Sequence, residues 1–193
     1  MIIDIEELIT SNIAKPARYL GNEVGAKHKS WNNADVHWVL TYPEVYELGA
    51  SNLGHIILYN ILNTQAGQLC DRAYLPASDL ATRLRKTNTL LFGLESRHPL
   101  IEFDILGFNL SYELGITNIL EMLDLSGIPL TWQEREFSLK SSSNNSQNNN
   151  LHNFQKNWDY PLIFAGGQTA TSNPEPFADF FDFLALGDGE ELL

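Results

Sequence analysis

A chain of 193 residues, 44% hydrophobic and 11% aromatic, is long enough for one ordinary domain with a buried core. Twelve Lys and Arg against 24 Asp and Glu give a formal net charge of −12, which argues against nucleic acid or an anionic membrane surface as partner. Cys70 is the only cysteine, so the chain has no intramolecular disulfide and no set of thiolates for zinc or an iron–sulfur cluster, and no run reaches the roughly 18 to 20 apolar residues of a membrane span.

The opening MIIDIEELIT carries acids early and lacks both a basic region and a long apolar run, so it is not a signal peptide, and the expected location is the cytoplasm. Ile5, Leu8, Ile9 and Ile13 have helical spacing, which Pro16 ends or bends. KPARYLGNEVGAKHKSW then gathers Lys15, Arg18, Lys27 and Lys29. It reads as a solvated surface arm, with a second reading in which Arg18 or Lys27 meets an anion. Residues 1–35 are thus a helix and an arm, ahead of an α/β domain over 36–193.

Val36 to Leu62 reads as strand, loop and helix. Val36 to Thr41 is a short β-rich run stopped by Pro43, Ser51 is placed to cap the helix, and Leu53, Ile56, Ile57, Tyr59, Ile61 and Leu62 give it an apolar face. The loop sequence Tyr46-Glu47-Leu48-Gly49-Ala50-Ser51-Asn52 recurs sixty-six positions later as Tyr112-Glu113-Leu114-Gly115-Ile116-Thr117-Asn118. Each copy follows an apolar run and opens an amphipathic helix, so the two mark equivalent corners of one sheet.

Between the copies, Arg72 to Leu75 is a strand ending at Pro76, Asp79 is placed to cap a helix through Leu80, Ala81, Leu84 and Arg85, and Leu90 to Leu94 forms a small extended excursion. Phe103 to Leu110 is the next strand, apolar on both faces as a buried parallel strand should be. Thr117 caps the helix that follows, and Gly127 with Pro129 stops it. Residues 138–157 turn abruptly to Ser and Asn and read as a disordered insertion. Beyond it come a strand over Leu162 to Ala165, a tight turn at Gly166-Gly167, the polar loop QTATSNPEP, a short helix over Glu175 to Phe181, a last strand over Phe183 to Leu186 and the turn Gly187-Asp188-Gly189-Glu190. Five strands alternating with helices predict a doubly wound, mostly parallel α/β sheet of flavodoxin-like order 2-1-3-4-5.

The runs KPARYLGNE, TYPEVYELGASNLGH, FDILGFNLSYELGITNIL and GGQTATSNPEPFADFFDFLALGDGEELL, in that order, resemble the N-terminal region of a family of radical S-adenosylmethionine (SAM) proteins whose leading domain looks like a cobalamin-binding domain. The resemblance spans residues 15 to 193, interrupted by the Asn-rich insertion. It implies a following barrel with a C-x-x-x-C-x-x-C motif, which binds a 4Fe–4S cluster and SAM, and none of that motif lies in these residues. The expectation is therefore a detached or truncated first domain without radical chemistry of its own, whose partner is the barrel of the parent protein. Asp188 and Glu190 would face that barrel or its SAM pocket. Oligomeric state is not legible.

Cobalamin domains of the mutase and methionine-synthase kind carry D-x-H-x-x-G in the first loop, where the His ligates cobalt. Here that loop runs from Glu47 to His55 without that spacing, and His55 falls inside the helix as a packed or surface residue. Any cobalamin would therefore bind with no protein imidazole on the cobalt, and no metal ligand is assigned. Glu47 and Glu113 lie in duplicated structural sequence with no base nearby, so no catalytic residue is assigned. The absence of a Walker run and of a G-x-G-x-x-G after the first strand argues against a nucleotide hydrolase and a dinucleotide dehydrogenase.

A ligand groove is expected where the loops after the first, third and fourth strands meet. Its candidate residues are Glu47, Gly49, Ser51, Asn52, Gly54, Ser111, Gly115, Thr117, Gly166, Gly167, Gln168, Thr169 and Thr171, glycines for close backbone approach and short polar groups for hydrogen bonds. The other reading gives Ser51 and Thr117 to helix caps and the glycines to turns. Two functions stay open: a cofactor-binding module, or a structural domain that docks on the barrel through a sticky face around Phe177, Phe180, Phe181, Leu192 and Leu193.

Overall fold

The computed structural model describes residues 2–136 and 159–192, so the expected insertion at 138–157 lies outside the described residues. Five parallel strands, β1 (Val36–Tyr42), β2 (Gln68–Tyr74), β3 (Ile105–Asn109), β4 (Leu162–Gly166) and β5 (Phe183–Ala185), form one sheet in the order β2-β1-β3-β4-β5. This is the flavodoxin-like arrangement that the alternation of elements predicts. The helices are α1 (Ile5–Leu8), α2 (Tyr46–Gly49), α3 (Leu53–Thr64), α4 (Ser78–Thr87), α5 (Gly115–Leu125), α6 (Gln168–Ser172) and α7 (Gly189–Leu192), with a further helical turn at 132–136.

The two faces of the sheet are covered unequally. Side chains alternate along each strand, so the register puts Val39, Leu69, Ala73, Leu106, Phe108, Ile163 and Ala165 on one face. There they join Leu80 and Leu84 of α4, Ile119, Met122 and Leu123 of α5, and Ile5 and Leu8 of α1 in the main core. The opposite face carries Cys70, Trp38 and Leu40, over which α3 lays Tyr59 and Leu62. That cover stops at β1. Farther along, on β4 and β5, Leu162 is 46% and Phe183 45% exposed, and the ring of Phe164 stacks on that of Phe183 at 5.1 Å.

Several boundaries differ from the sequence reading. The cap of α3 is Asn52, whose Oδ1 accepts from the His55 amide at 2.9 Å, whereas the Ser51 hydroxyl donates back to Leu48 O. Thr117 likewise sits inside α5 and donates to Leu114 O, so it is no cap. Ala77 precedes α4 in an extended conformation, and Asp79 lies in its first turn, accepting from the Leu80 amide at 2.7 Å and from the Ala14 amide at 2.8 Å. It ties the N-terminal arm to α4. QTATSNPEP is not all loop, because Gln168–Ser172 winds into α6, and Glu175–Phe180 is a 3-10 helix. The helix expected through Ile13 is the single turn α1, and Pro16 opens a 3-10 turn. Phe177 and Phe181 are 6% and 2% exposed within the main core, so they form no sticky face.

Strand β2 begins at Gln68, four residues before the predicted start, and runs through two buried charges. The Glu95 carboxylate accepts from the Arg72 amide at 2.9 Å and from Arg72 Nε at 2.8 Å, and Leu94 N donates to Arg72 O at 2.8 Å. The loop carrying Glu95 thereby covers an edge that would otherwise present unpaired backbone groups. Arg72 also pairs with Glu23 of the arm and lies 4.6 Å over the Tyr59 ring. Asp71 points to the other face, takes a hydrogen bond from the Ser96 amide at 2.9 Å, and is pushed up to about 7 by burial and by the nearby Glu95 charge.

Candidate functional site

The two duplicated loops lie side by side at the carboxyl ends of the neighbouring strands β1 and β3, and they are bonded to each other. Asn118 Nδ2 donates to Pro43 O at 2.8 Å, and the Tyr112 hydroxyl donates to the Glu44 carboxylate. The crevice expected there is therefore bridged by the chain's own groups.

The open space lies instead on the partly covered sheet face. A groove of 190 Å³ runs between α3 and the carboxyl halves of β3, β4 and β5, with α7 along its far side. Leu40, Leu58 and Phe164 make its apolar walls. Six of its lining residues are glycines, namely Gly54, Gly107, Gly166, Gly167, Gly187 and Gly189, so much of the wall is bare backbone. Gly107 is buried mid-strand in β3, where a Cβ would fall 2.6 Å from Phe164 Cζ, and the Phe164 ring lies in the space that a side chain would need. Gly167 holds φ at +119°, and a Cβ there would approach Leu110 O to 2.9 Å. That crowding reflects how tightly β4 is held, with Leu110 N donating to Gly166 O at 2.7 Å and Thr169 N to Leu110 O at 3.1 Å.

His55, in the first turn of α3, is the most informative lining residue. It is 3% exposed, its ring meets Tyr42 at 5.8 Å and Tyr74 at 5.7 Å, and its Nε2 is buried with no hydrogen-bond partner among the described residues. Burial, with a smaller push from the Arg72 charge, lowers its imidazole to about 3, so the ring is neutral near pH 7. Among the described residues the lining contains no Lys or Arg, and Glu190 is its one charged residue.

Of the residues expected from sequence, Gly54, Gly166 and Gly167 line the groove. Glu47 does not: Lys15 Nζ and Arg18 each reach its Oε1 at 2.9 Å, and those hydrogen bonds, Arg18 first, hold its carboxyl at about 2. The anion that Arg18 meets thus belongs to its own chain. Gly49 is required by packing, since a Cβ would fall 2.4 Å from the Tyr74 ring. Asn52 caps α3, and Ser111 donates to Asn109 Oδ1, beside the groove. Gly115 opens α5, and neither it nor Ser51 nor Thr117 is among the described residues that line the groove. Gln168 is exposed and Thr169 buried in α6, while Thr171 Oγ1 accepts from the Gly187 amide at 3.1 Å and so anchors the turn before α7. The sequence reading did not count Gly107, Gly187 or Gly189 among the groove residues, and it gave His55 as a packed or surface residue, of which the structure shows the packed one. Of these, a glycine inside a buried strand was a usable signal for Gly107.

Cys70 is buried and its thiol is pushed up by that burial, which leaves it unreactive. Among the described residues no group of three or more His, Cys, Asp and Glu is placed to hold a metal ion, and no helix is long and apolar enough to cross a membrane. The chain matches the family described as "Radical SAM proteins, N-terminal" over residues 54–142 and 144–193, well over half its length. Against the curated proteins and against the solved structures, nothing matches.

Proposed function

From the premise that the chain belongs to the family of radical SAM N-terminal domains, we propose that it is an accessory module of a radical SAM protein and that its groove holds part of a cobalamin. The observation that carries this reading is the glycine-walled groove at the carboxyl half of the sheet, on a flavodoxin-like fold whose ligands are expected at that end of the strands.

The residues present fit one arm of such a cofactor. A volume of 190 Å³ admits a flat ring system and not a whole corrin, and the backbone at Gly166, where even a Cβ would meet only ordinary contacts, lets a ring approach the sheet. Bound cobalamin would supply methyl-transfer or one-electron cobalt chemistry. The chain's own part is to bind and orient it. His55 is buried beside Tyr42 and Tyr74, so the reading keeps cobalt free of a protein imidazole. SAM and the 4Fe–4S cluster belong, in this reading, to a radical SAM barrel that the module serves. The exposed Leu162 and Phe183 next to the groove favour a second reading, in which this face docks on that barrel and holds no cofactor.

Equilibrium dialysis of the chain against hydroxocobalamin, with the visible spectrum recorded, separates the two. Saturable binding with a spectrum free of an imidazole ligand from the protein is the expected result. No binding at millimolar ligand would remove cobalt chemistry and leave the docking reading.

A further inference from the structure

We propose that His37 is a doubly protonated imidazolium that fastens the end of the N-terminal arm to the sheet, and that the arm end loosens when this ring gives up its Nε2 proton as pH rises.

The hydrogen bonds of His37 require both protons. Its Nδ1 lies 2.9 Å from Asp104 Oδ2 and its Nε2 2.9 Å from Trp31 O. A carboxylate and a carbonyl only accept, so each ring nitrogen must donate, and only imidazolium carries two N–H groups. The same Asp104 Oδ2 accepts from the His37 amide at 2.8 Å, and Asp104 N donates to His37 O at 2.9 Å, so the ring is held against the start of β1 and the residue before β3. Trp31, which opens a 3-10 turn at the end of the arm, is clamped through its ring as well. Its indole stacks on His37 at 4.0 Å and on His98 at 3.7 Å, with Phe103 edge-on at 4.9 Å. A cation on one face of the indole adds attraction that a neutral ring lacks.

The neighbouring charges give the device its direction. Asp104 faces the His37 ring, and the Asp35 carboxylate lies against Gly67. On the far side of the indole, His98 Nδ1 donates to Glu102 Oε2 at 2.7 Å, a bond that one proton satisfies. Burial pushes the Glu102 carboxyl up, but hydrogen bonds from the amino-terminal charge and from His98 outweigh it and hold it below its ordinary value. The side chains of His37 and Asp104 are 15% and 28% exposed, so water can take the proton. Nε2 is the nitrogen that gives it up, because Nδ1 keeps the bond to the carboxylate. A lone pair then faces the Trp31 carbonyl, and the cation leaves the indole. An unfolded histidine titrates near about 6.5, so this fastening contributes stability that is present below that pH and lost as pH rises through the folded value.

The test is a pH titration of the full ¹⁵N-labelled chain, in which long-range correlation spectra read the histidine ring nitrogens. At pH 7 both nitrogens of His37 are expected to carry a proton. As pH is raised to about 9, Nε2 loses its proton, the Trp31 indole signal and the amides of Trp31 to Ala34 move in the same step, and the protection of those amides from exchange falls about tenfold, the equivalent of one pH unit. Asp104→Asn should move the step about one unit towards acid, and in His37→Gln the arm signals should no longer respond over this range. A single proton on His37 at pH 7 would overturn the proposal, and that reading needs no variant to fold. Release of the Nε2 proton with Trp31 and the arm unmoved would overturn it as well, as would a step of equal size in His37→Gln.

Discussion

Replacing Arg72 with Met is expected to destabilise the chain by about 3–5 kcal/mol, the cost of leaving a buried charge without its partner. The Arg72 side chain is 7% exposed and that of Glu95 1%, and their hydrogen bonds join the edge of β2 to the loop that covers it. Without the guanidinium, Glu95 stays enclosed beside Asp71 and Glu23, all acidic. Urea unfolding at pH 7 reads the loss, and adding Glu95→Gln to the Arg72→Met chain should restore much of it. The pH dependence has a definite sign. Burial raises the Glu95 carboxyl, and a carboxyl raised in the fold contributes stability at low pH that is lost as pH rises through its folded value. The deficit of Arg72→Met should therefore shrink towards acid. A change below about 1 kcal/mol at pH 7 would mean that water reaches this cluster.

Gly167→Val should combine a loss of stability of about 2–3 kcal/mol with a loss of ligand affinity of tenfold or more. Its φ of +119° is closed to a β-branched residue, and the new Cβ would press on Leu110 O, whose hydrogen bond to Thr169 N helps hold the end of β4. Gly166→Ala is the control. Its Cβ would sit 3.5 Å from Ala185 O, an ordinary contact, so the fold should tolerate it. Full affinity in Gly167→Val, measured by dialysis against hydroxocobalamin, would place the ligand elsewhere than this groove.

The sheet was legible because its strands alternate with helices and each is a short apolar run bounded by Gly, Pro or Asn. β1, β3, β4 and β5 lie within a few residues of where the pattern puts them. β2 was read late because Asp71 and Arg72 interrupt the apolar pattern, and only tertiary partners, Ser96 and Glu95, make them compatible with a buried strand. Ser51 and Asn52 are adjacent and both are good caps, so local preference could not choose between them. Gln168–Ser172 reads as loop from its Thr and Ser content, yet the Thr169–Leu110 hydrogen bond and the burial of Ala170 draw it into a helical turn.

The groove was less legible for a different reason. Its walls follow from one sheet face being covered over β1 and β2 and left open over β3 to β5, which no single segment encodes. Gly54, Gly166 and Gly167 stood out as loop glycines, while Gly107 and His55 gain their meaning only from what packs around them, Phe164 in one case and two tyrosine rings in the other.

The most direct measurement is an amide ¹H–¹⁵N correlation spectrum of the labelled chain, recorded before and after addition of hydroxocobalamin. Shifts concentrated at Gly54, Gly107, Gly166, Gly167 and Gly189, with the amides of α4 and α5 unmoved, are what the groove predicts. Shifts confined to the opposite face or to the bridged loops around Pro43 and Tyr112, or none at all, would contradict it.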